Sequence, residues 1–183
     1  GADSITGGTG ADDFNNVGVA GGAVSADVIT DFTVAQTDQL GAWDLSDIAS
    51  AGTTLTDINA ATSDVADGDA VQVFSDAGAE GFDLADAGAN DNLLQLTANY
   101  SSVGDVQTRV RTFLAATATT ATEGFLISWD DGASNSYLGL VTYGAVEADG
   151  EALAAATVQT IATISGIDDN TTILEANFNN FVA

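Results

Sequence analysis

The chain opens with Gly1-Ala-Asp-Ser-Ile-Thr-Gly-Gly-Thr-Gly-Ala-Asp-Asp-Phe14. From Gly7 the spacing reads G-G-x-G-x-D-x-U-x, with U a large apolar residue. Gly7, Gly8, Gly10, Asp12 and Phe14 hold the defined positions. From Gly1 the same frame fits the end of a preceding copy, with Gly1, Asp3 and Ile5 in the G, D and U places. The chemistry on offer is oxygen ligation. Glycine lets the backbone turn tightly and aim carbonyl oxygens inward. The Asp adds a charged oxygen, and Ca²⁺ takes six to eight hard oxygen ligands. The U residue is placed to fill the interior behind the turn. A glycine-rich turn that binds nothing is the alternative reading.

Other residues offer less. There is no His and no Cys, which excludes a His-zinc site, a Ser-His triad and a Cys nucleophile within these residues. Acids are so abundant that pairs of carboxylates arise by chance. Asp67-Gly-Asp69 fits a turn better than a cation loop. The run Asp130-Asp-Gly-Ala-Ser-Asn-Ser136 reads as a hairpin turn whose Asp130, Asp131 and Asn135 could lend oxygens to a cation. Arg109 and Arg111 are suited to pairing with nearby Asp or facing solvent, more than to holding an acidic partner.

Charge sets the wider limits. Of 183 residues 27 are acidic and two basic, for a net charge of −25. This disfavours nucleic acid and anionic membranes as partners, and it opposes compaction unless cations are bound. Twenty-two of the acids are Asp, poor in helix interiors and good in turns. With 45% hydrophobic residues the chain has material for a core, and no apolar run reaches the ~18–20 residues of a membrane span. Without Cys there is no disulfide, and bound metal can serve as the staple instead.

These candidates need elements to position them. Ala70–Phe74 and Thr157–Ile164 alternate as strands, and Leu93–Leu96 is another short apolar run. Gly124–Trp129 and Tyr137–Tyr143 flank the Asp-Gly-Asn turn as a hairpin. Val106, Val110, Phe113, Leu114 and Thr117 recur at helical spacing behind an N-cap at Ser102 with Asp105 three residues on, predicting a helix near 103–118. Gly21-Gly22 with Asp27 reads as a degenerate further copy of the nonapeptide.

The nonapeptide, followed by Asp27-Val-Ile-Thr-Asp-Phe32, Asp38-Gln-Leu40 and Asp44-Leu-Ser-Asp-Ile48, resembles the calcium-binding repeats of the RTX proteins and the segment that closes them. Phe125-Leu-Ile-Ser-Trp-Asp-Asp-Gly132 with Ser136-Tyr-Leu138, Ile161-Ala-Thr-Ile-Ser-Gly-Ile167 and the Asn177-Phe178 tail are similar, more loosely, to C-terminal regions of RTX proteins exported by type I secretion, especially bacterial S-layer and related surface proteins. The resemblance implies a mainly β fold: a short calcium-binding parallel β-roll over residues 1–48, then a β-rich domain over 49–183 with one substantial helix and a C-terminal secretion signal. Because the frame begins inside a repeat, further residues are expected before Gly1.

The resemblance further implies a Ca²⁺ cofactor, with ligands from Asp3 and Asp12 and from turn carbonyls around Gly7, Gly8 and Gly10. Asp27, Asp31 and Asp38 are candidates for closing sites. It implies a non-enzymatic secreted protein, extracellular or on the bacterial cell surface, exported by type I secretion machinery. Such a chain would self-associate through Ca²⁺ into an S-layer lattice or filament, helped by edge strands such as 70–74 or 157–164. The alternative is the C-terminal secretion and folding module of an RTX exoenzyme whose catalytic domain lies upstream.

Overall fold

A computed structural model describes residues 1–76 and 82–183. In chain order the strands are β1 (Ser4–Ile5), β2 (Asp13–Asn15), β3 (Val19–Ala20), β4 (Ala23–Val24), β5 (Asp27–Ile29), β6 (Gln39–Gly41), β7 (Thr54–Asp57), β8 (Ala60–Asp64), β9 (Val73–Asp76), β10 (Leu93–Leu96), β11 (Glu123–Asp130), β12 (Asn135–Thr142) and β13 (Thr157–Ser165). Two α-helices, α1 (Leu45–Ser50) and α2 (Val103–Val110), join them. The chain is mainly β, as expected. Among the described residues no helix is long and apolar enough to cross a membrane.

One mixed sheet runs β1-β5-β13-β12-β11-β10-β9, with β7 set beside β11 and β8 paired to β7. The hairpin β11–β12 and the pair β12–β13 are antiparallel; β13–β5, β5–β1, β11–β10 and β10–β9 are parallel. Apolar side chains cover both faces, which is why β11 reads as the nearly unbroken run Phe125-Leu-Ile-Ser-Trp129. Leu126 faces one core with Leu138, Leu140, Ile29, Trp43 and Phe181. Phe125, Ile127 and Trp129 face the other, with Val106 and Val110 of α2 and Phe113 beyond it.

The helix begins where its cap chemistry requires. Ser102 Oγ accepts the Asp105 N–H at 3.2 Å and donates to the Asp105 carboxylate at 2.8 Å. It ends at Val110, well short of 118. Phe113 is buried, while Leu114 leaves the helical path to bridge Asp83 and Ala152, and the threonines that follow favour extended backbone. Arg109 turns inward, ion-paired to Asp76 at 2.9 Å with its guanidinium 4.8 Å above the Phe113 ring.

Two further corrections concern edges and turns. Thr157–Ser165 is an interior strand, flanked by β12 and β5, whereas β9 lies at the end of the sheet path. Gly21 and Gly22, with φ of 57° and 76°, form the two-residue turn between β3 and β4 rather than a repeat.

The sheet also runs across the boundary expected at residue 48, because β5 pairs directly with β13. The C-terminal tail returns to the N-terminal segment. Asn179 N–H donates to the Leu40 carbonyl at 2.7 Å and Leu45 N–H to the Val182 carbonyl at 2.8 Å. Phe178 and Phe181 close on the Trp43 ring at 6.4 and 6.3 Å. We therefore expect Phe181→Ala, at a fully buried position, to cost about 3–5 kcal/mol in urea unfolding. Leu174→Ala, at a side chain 59% exposed in the same tail, should stay within about 0.5 kcal/mol of wild type.

Candidate functional site

The nonapeptide segment lies as one turn upon another. β1 pairs parallel to β5, Ser4 opposite Val28, and β2 pairs parallel to β6, Phe14 opposite Leu40. The second turn is the longer and contains the 3-10 turn Val34–Gln36. Phe14 and Phe32, one from each turn, meet in the interior at 6.0 Å, so Phe14 fills the apolar place its position in the motif assigns.

All eight candidate residues are in these two turns, and hydrogen bonds link them. Asp31 Oδ1 accepts the Gly7 N–H at 2.9 Å and Oδ2 the Gly8 N–H at 2.8 Å. Consecutive amides, with Gly8 at φ 102°, form a concavity for an anionic group. Gln36 Oε1 takes the Gly10 N–H at 2.7 Å. Asp38, buried, accepts from Asp12 N–H at 3.1 Å and Thr33 N–H at 2.8 Å. Asp27, also buried, accepts from Asp3 N–H and Gly18 N–H, both at 2.8 Å. Each of the three closing aspartates thus spends both oxygens on backbone N–H groups and leaves one lone pair on each. They clamp one turn to the next, and the remaining lone pairs keep them candidates for closing sites.

Asp3 and Asp12 are placed differently. The carboxylate of Asp12 lies over Gly7, where an added Cβ would stand 2.7 Å from its Cγ and Oδ2 and push that side chain aside. Neither that carboxylate nor the carbonyls of Gly7, Gly8 and Gly10 accept a hydrogen bond among the described residues. Asp3 is exposed and lines a pocket of 160 Å³ with Asp27, Asn16 and Gly18. Free carboxylate and carbonyl oxygens are a donor set that fits Ca²⁺. Among the described residues no three acidic side chains converge as a ready-made cage.

The other loops divide. Asp67-Gly68-Asp69 is a turn: Asp69 Oδ2 accepts the Ala66 N–H at 2.7 Å and Gly68 has φ 87°. Asp69 also lines a polar pocket of 150 Å³ with Asp57, Asn90 and Asn92, where burial and the charges of Asp69 and Asp91 raise the Asp57 carboxyl. No motif marks that pocket, because its residues come from three separate segments. Asp131 is consumed by its own loop. Its Oδ1 accepts from Ala133, Ser134 and Asn135 N–H, and its Oδ2 from Asn135 Nδ2 and Tyr137 Oη. Burial pushes this carboxyl up, but these donors outweigh it and hold it well below the usual range.

Comparison with known proteins found no matching family model, no matching curated protein and no matching solved structure.

Two outcomes follow. Asp38→Ala leaves the half-buried N–H groups of Asp12 and Thr33 without this acceptor and should cost about 1–3 kcal/mol. Asp13→Ala, at an exposed neighbour, should change little, and urea midpoints compare the two. Asp131→Ala should lower stability at pH 7 by about 1–2 kcal/mol. A depressed folded-state carboxyl stabilises above the unfolded pKa and loses that contribution as pH falls toward the folded value. The wild-type advantage should therefore hold down to about pH 4 and close below it, as read by unfolding curves across pH.

Proposed function

We propose that this chain is a secreted calcium-binding structural protein of the bacterial surface, a subunit of an S-layer or extracellular filament that folds and assembles as Ca²⁺ binds. The observation that carries this reading is the Asp12 carboxylate. It stands without a hydrogen-bond partner among the described residues, over a glycine turn whose carbonyls are also uncommitted, at the D position of a nonapeptide in phase with half of another. Asp3, Asp12 and the carbonyls of Gly7, Gly8 and Gly10 would hold the ion. Asp27, Asp31 and Asp38 would keep the turns in register by clamping N–H groups, so that the carbonyls are left for metal. The stacked turns would in this reading be a short parallel β-roll.

Net charge supplies the coupling. Ligation of a site that the unfolded chain lacks adds to folding free energy, and repulsion among the aspartates keeps the metal-free chain open. Export through type I machinery before calcium is met fits that order of events. Between subunits at −25, divalent ions shared by carboxylates turn repulsion into adhesion. At physiological salt the screening length is only ~8 Å, so bridging acts at contact. The edge strand β9 offers direct pairing as well.

Circular dichroism across a calcium series should show β structure gained with Ca²⁺ and lost to chelator, with the midpoint moved to higher calcium in Asp12→Ala. Light scattering on the same series should show growth in particle size. A β spectrum unchanged by chelator overturns the calcium reading. A folded monomer at every calcium level overturns the assembly reading in favour of an exoenzyme's secretion and folding module.

A further inference from the structure

Under the 3-10 turn Asn170–Thr172 a band of polar side chains crosses an otherwise apolar sheet face. Register sets Ser75 beside Gln95, Gln95 beside Ser128, and Asp130 beside Ser136. Gln95, Ser128, Asp130 and Ser136 are all buried, Asp130 to 3% exposure. Asn170, at 0% exposure, lies over the band. Its Nδ2 donates to Ser128 Oγ at 3.1 Å, its carbonyl accepts from Gln95 Nε2 at 2.8 Å, and its N–H points to Asp130 Oδ2 at 3.5 Å.

Two groups in this band are left unbalanced. Asn170 Oδ1 is enclosed and accepts no hydrogen bond. Asp130 is a buried carboxylate whose Oδ1 accepts the Gly132 N–H at 2.9 Å, while its Oδ2 has only the long contact to Asn170. Among the described residues neither arginine bonds it: Arg109 pairs with Asp76, and Arg111 Nε donates to the Ala156 carbonyl. A buried carboxylate without a counter-charge is unfavourable, and so is an enclosed amide oxygen without a donor. A water molecule would satisfy the amide and leave the charge. A hard cation answers both, because it brings positive charge to oxygen atoms and needs no acceptor of its own.

We infer that the Asp130 carboxylate and Asn170 Oδ1 are ligands of one buried hard cation, Ca²⁺ or Na⁺. It ties the turn after β13 to the end of the β11–β12 hairpin. This seat shares no residue with the Asp3 and Asp12 turns and does not rest on the function proposed for them.

Metal analysis of the full chain after equilibration in CaCl₂ and desalting provides the test. If the ion is Ca²⁺, Asp130→Asn binds one ion fewer than wild type, and the double variant with Asp12→Ala loses one more than Asp12→Ala alone. If it is Na⁺, calcium counts stay equal, but the wild-type melting temperature rises in NaCl relative to choline chloride and that of Asp130→Asn does not. Equal calcium counts together with equal salt response overturn the proposal. Should Asp130→Asn fail to fold, a crystal structure of the wild type grown in CaCl₂ and NaCl decides. An ion about 2.3–2.6 Å from Asn170 Oδ1 supports the seat. A water at about 2.8 Å, or nothing there, overturns it.

Discussion

A chain with 22 aspartates and two arginines has too few side-chain cations to pair with its carboxylates, and the fold meets this constraint through the backbone. Asp27, Asp31 and Asp38 hold the N-terminal turns together by accepting N–H groups. Asp44 caps α1, Asp83 and Asp169 cap 3-10 turns, and Asp131 organises the hairpin loop. Aspartate suits this work because its short side chain reaches amides two or three residues away without giving up much rotamer freedom. The composition that looks like a burden of charge thus organises several of the turns.

The same constraint shapes the interior. Among the described residues the single ion pair, Arg109 with Asp76, is drawn inside and roofed by Phe113. Apart from the polar band under Asn170, apolar side chains cover most of both sheet faces. Long-range joins include β5 against β13, β7 against β11, and the tail against Leu40, Trp43 and Leu45. They make residues near the two ends of the chain into one structure. Cutting the last sixty residues would remove β11 to β13 together with the tail. The N-terminal turns and the C-terminal region share one sheet, although they lie far apart in sequence.

For function, this joining means that the nonapeptide turns rest on the central sheet through β5. A cation bound there would stabilise more than a local loop, since β5 transmits its order to β13 and the hairpin. The polar band under Asn170 sits on the same sheet, beneath the turn that follows β13. That band joins the turn to β10 and β11 and, among the described residues, hydrogen-bonds to none of the N-terminal turns.

What the sequence determined by itself was local. The nonapeptide spacing, the β11–β12 hairpin, the Ser102 cap and the predominance of β structure all follow from neighbours within a few residues, where glycine freedom, turn chemistry and alternation act directly. The extent of α2 was not legible, because Leu114 leaves the helix to satisfy partners at Asp83 and Ala152. Nor was the interior place of Thr157–Ser165, whose alternation of Thr with apolar residues is the pattern of a half-buried strand; pairing on both sides depends on β5, more than a hundred residues away. The contacts of Asp27, Asp31 and Asp38 between turns were likewise set by the tertiary structure. Their residue type fits a metal ligand or a backbone clamp equally well, and only the stacking of one turn on another brings the amides of Gly7, Gly8 and Asp12 within reach of their oxygens. Hydrogen bonds between turns depend on distances that chain spacing does not encode, so these contacts belonged to the tertiary structure.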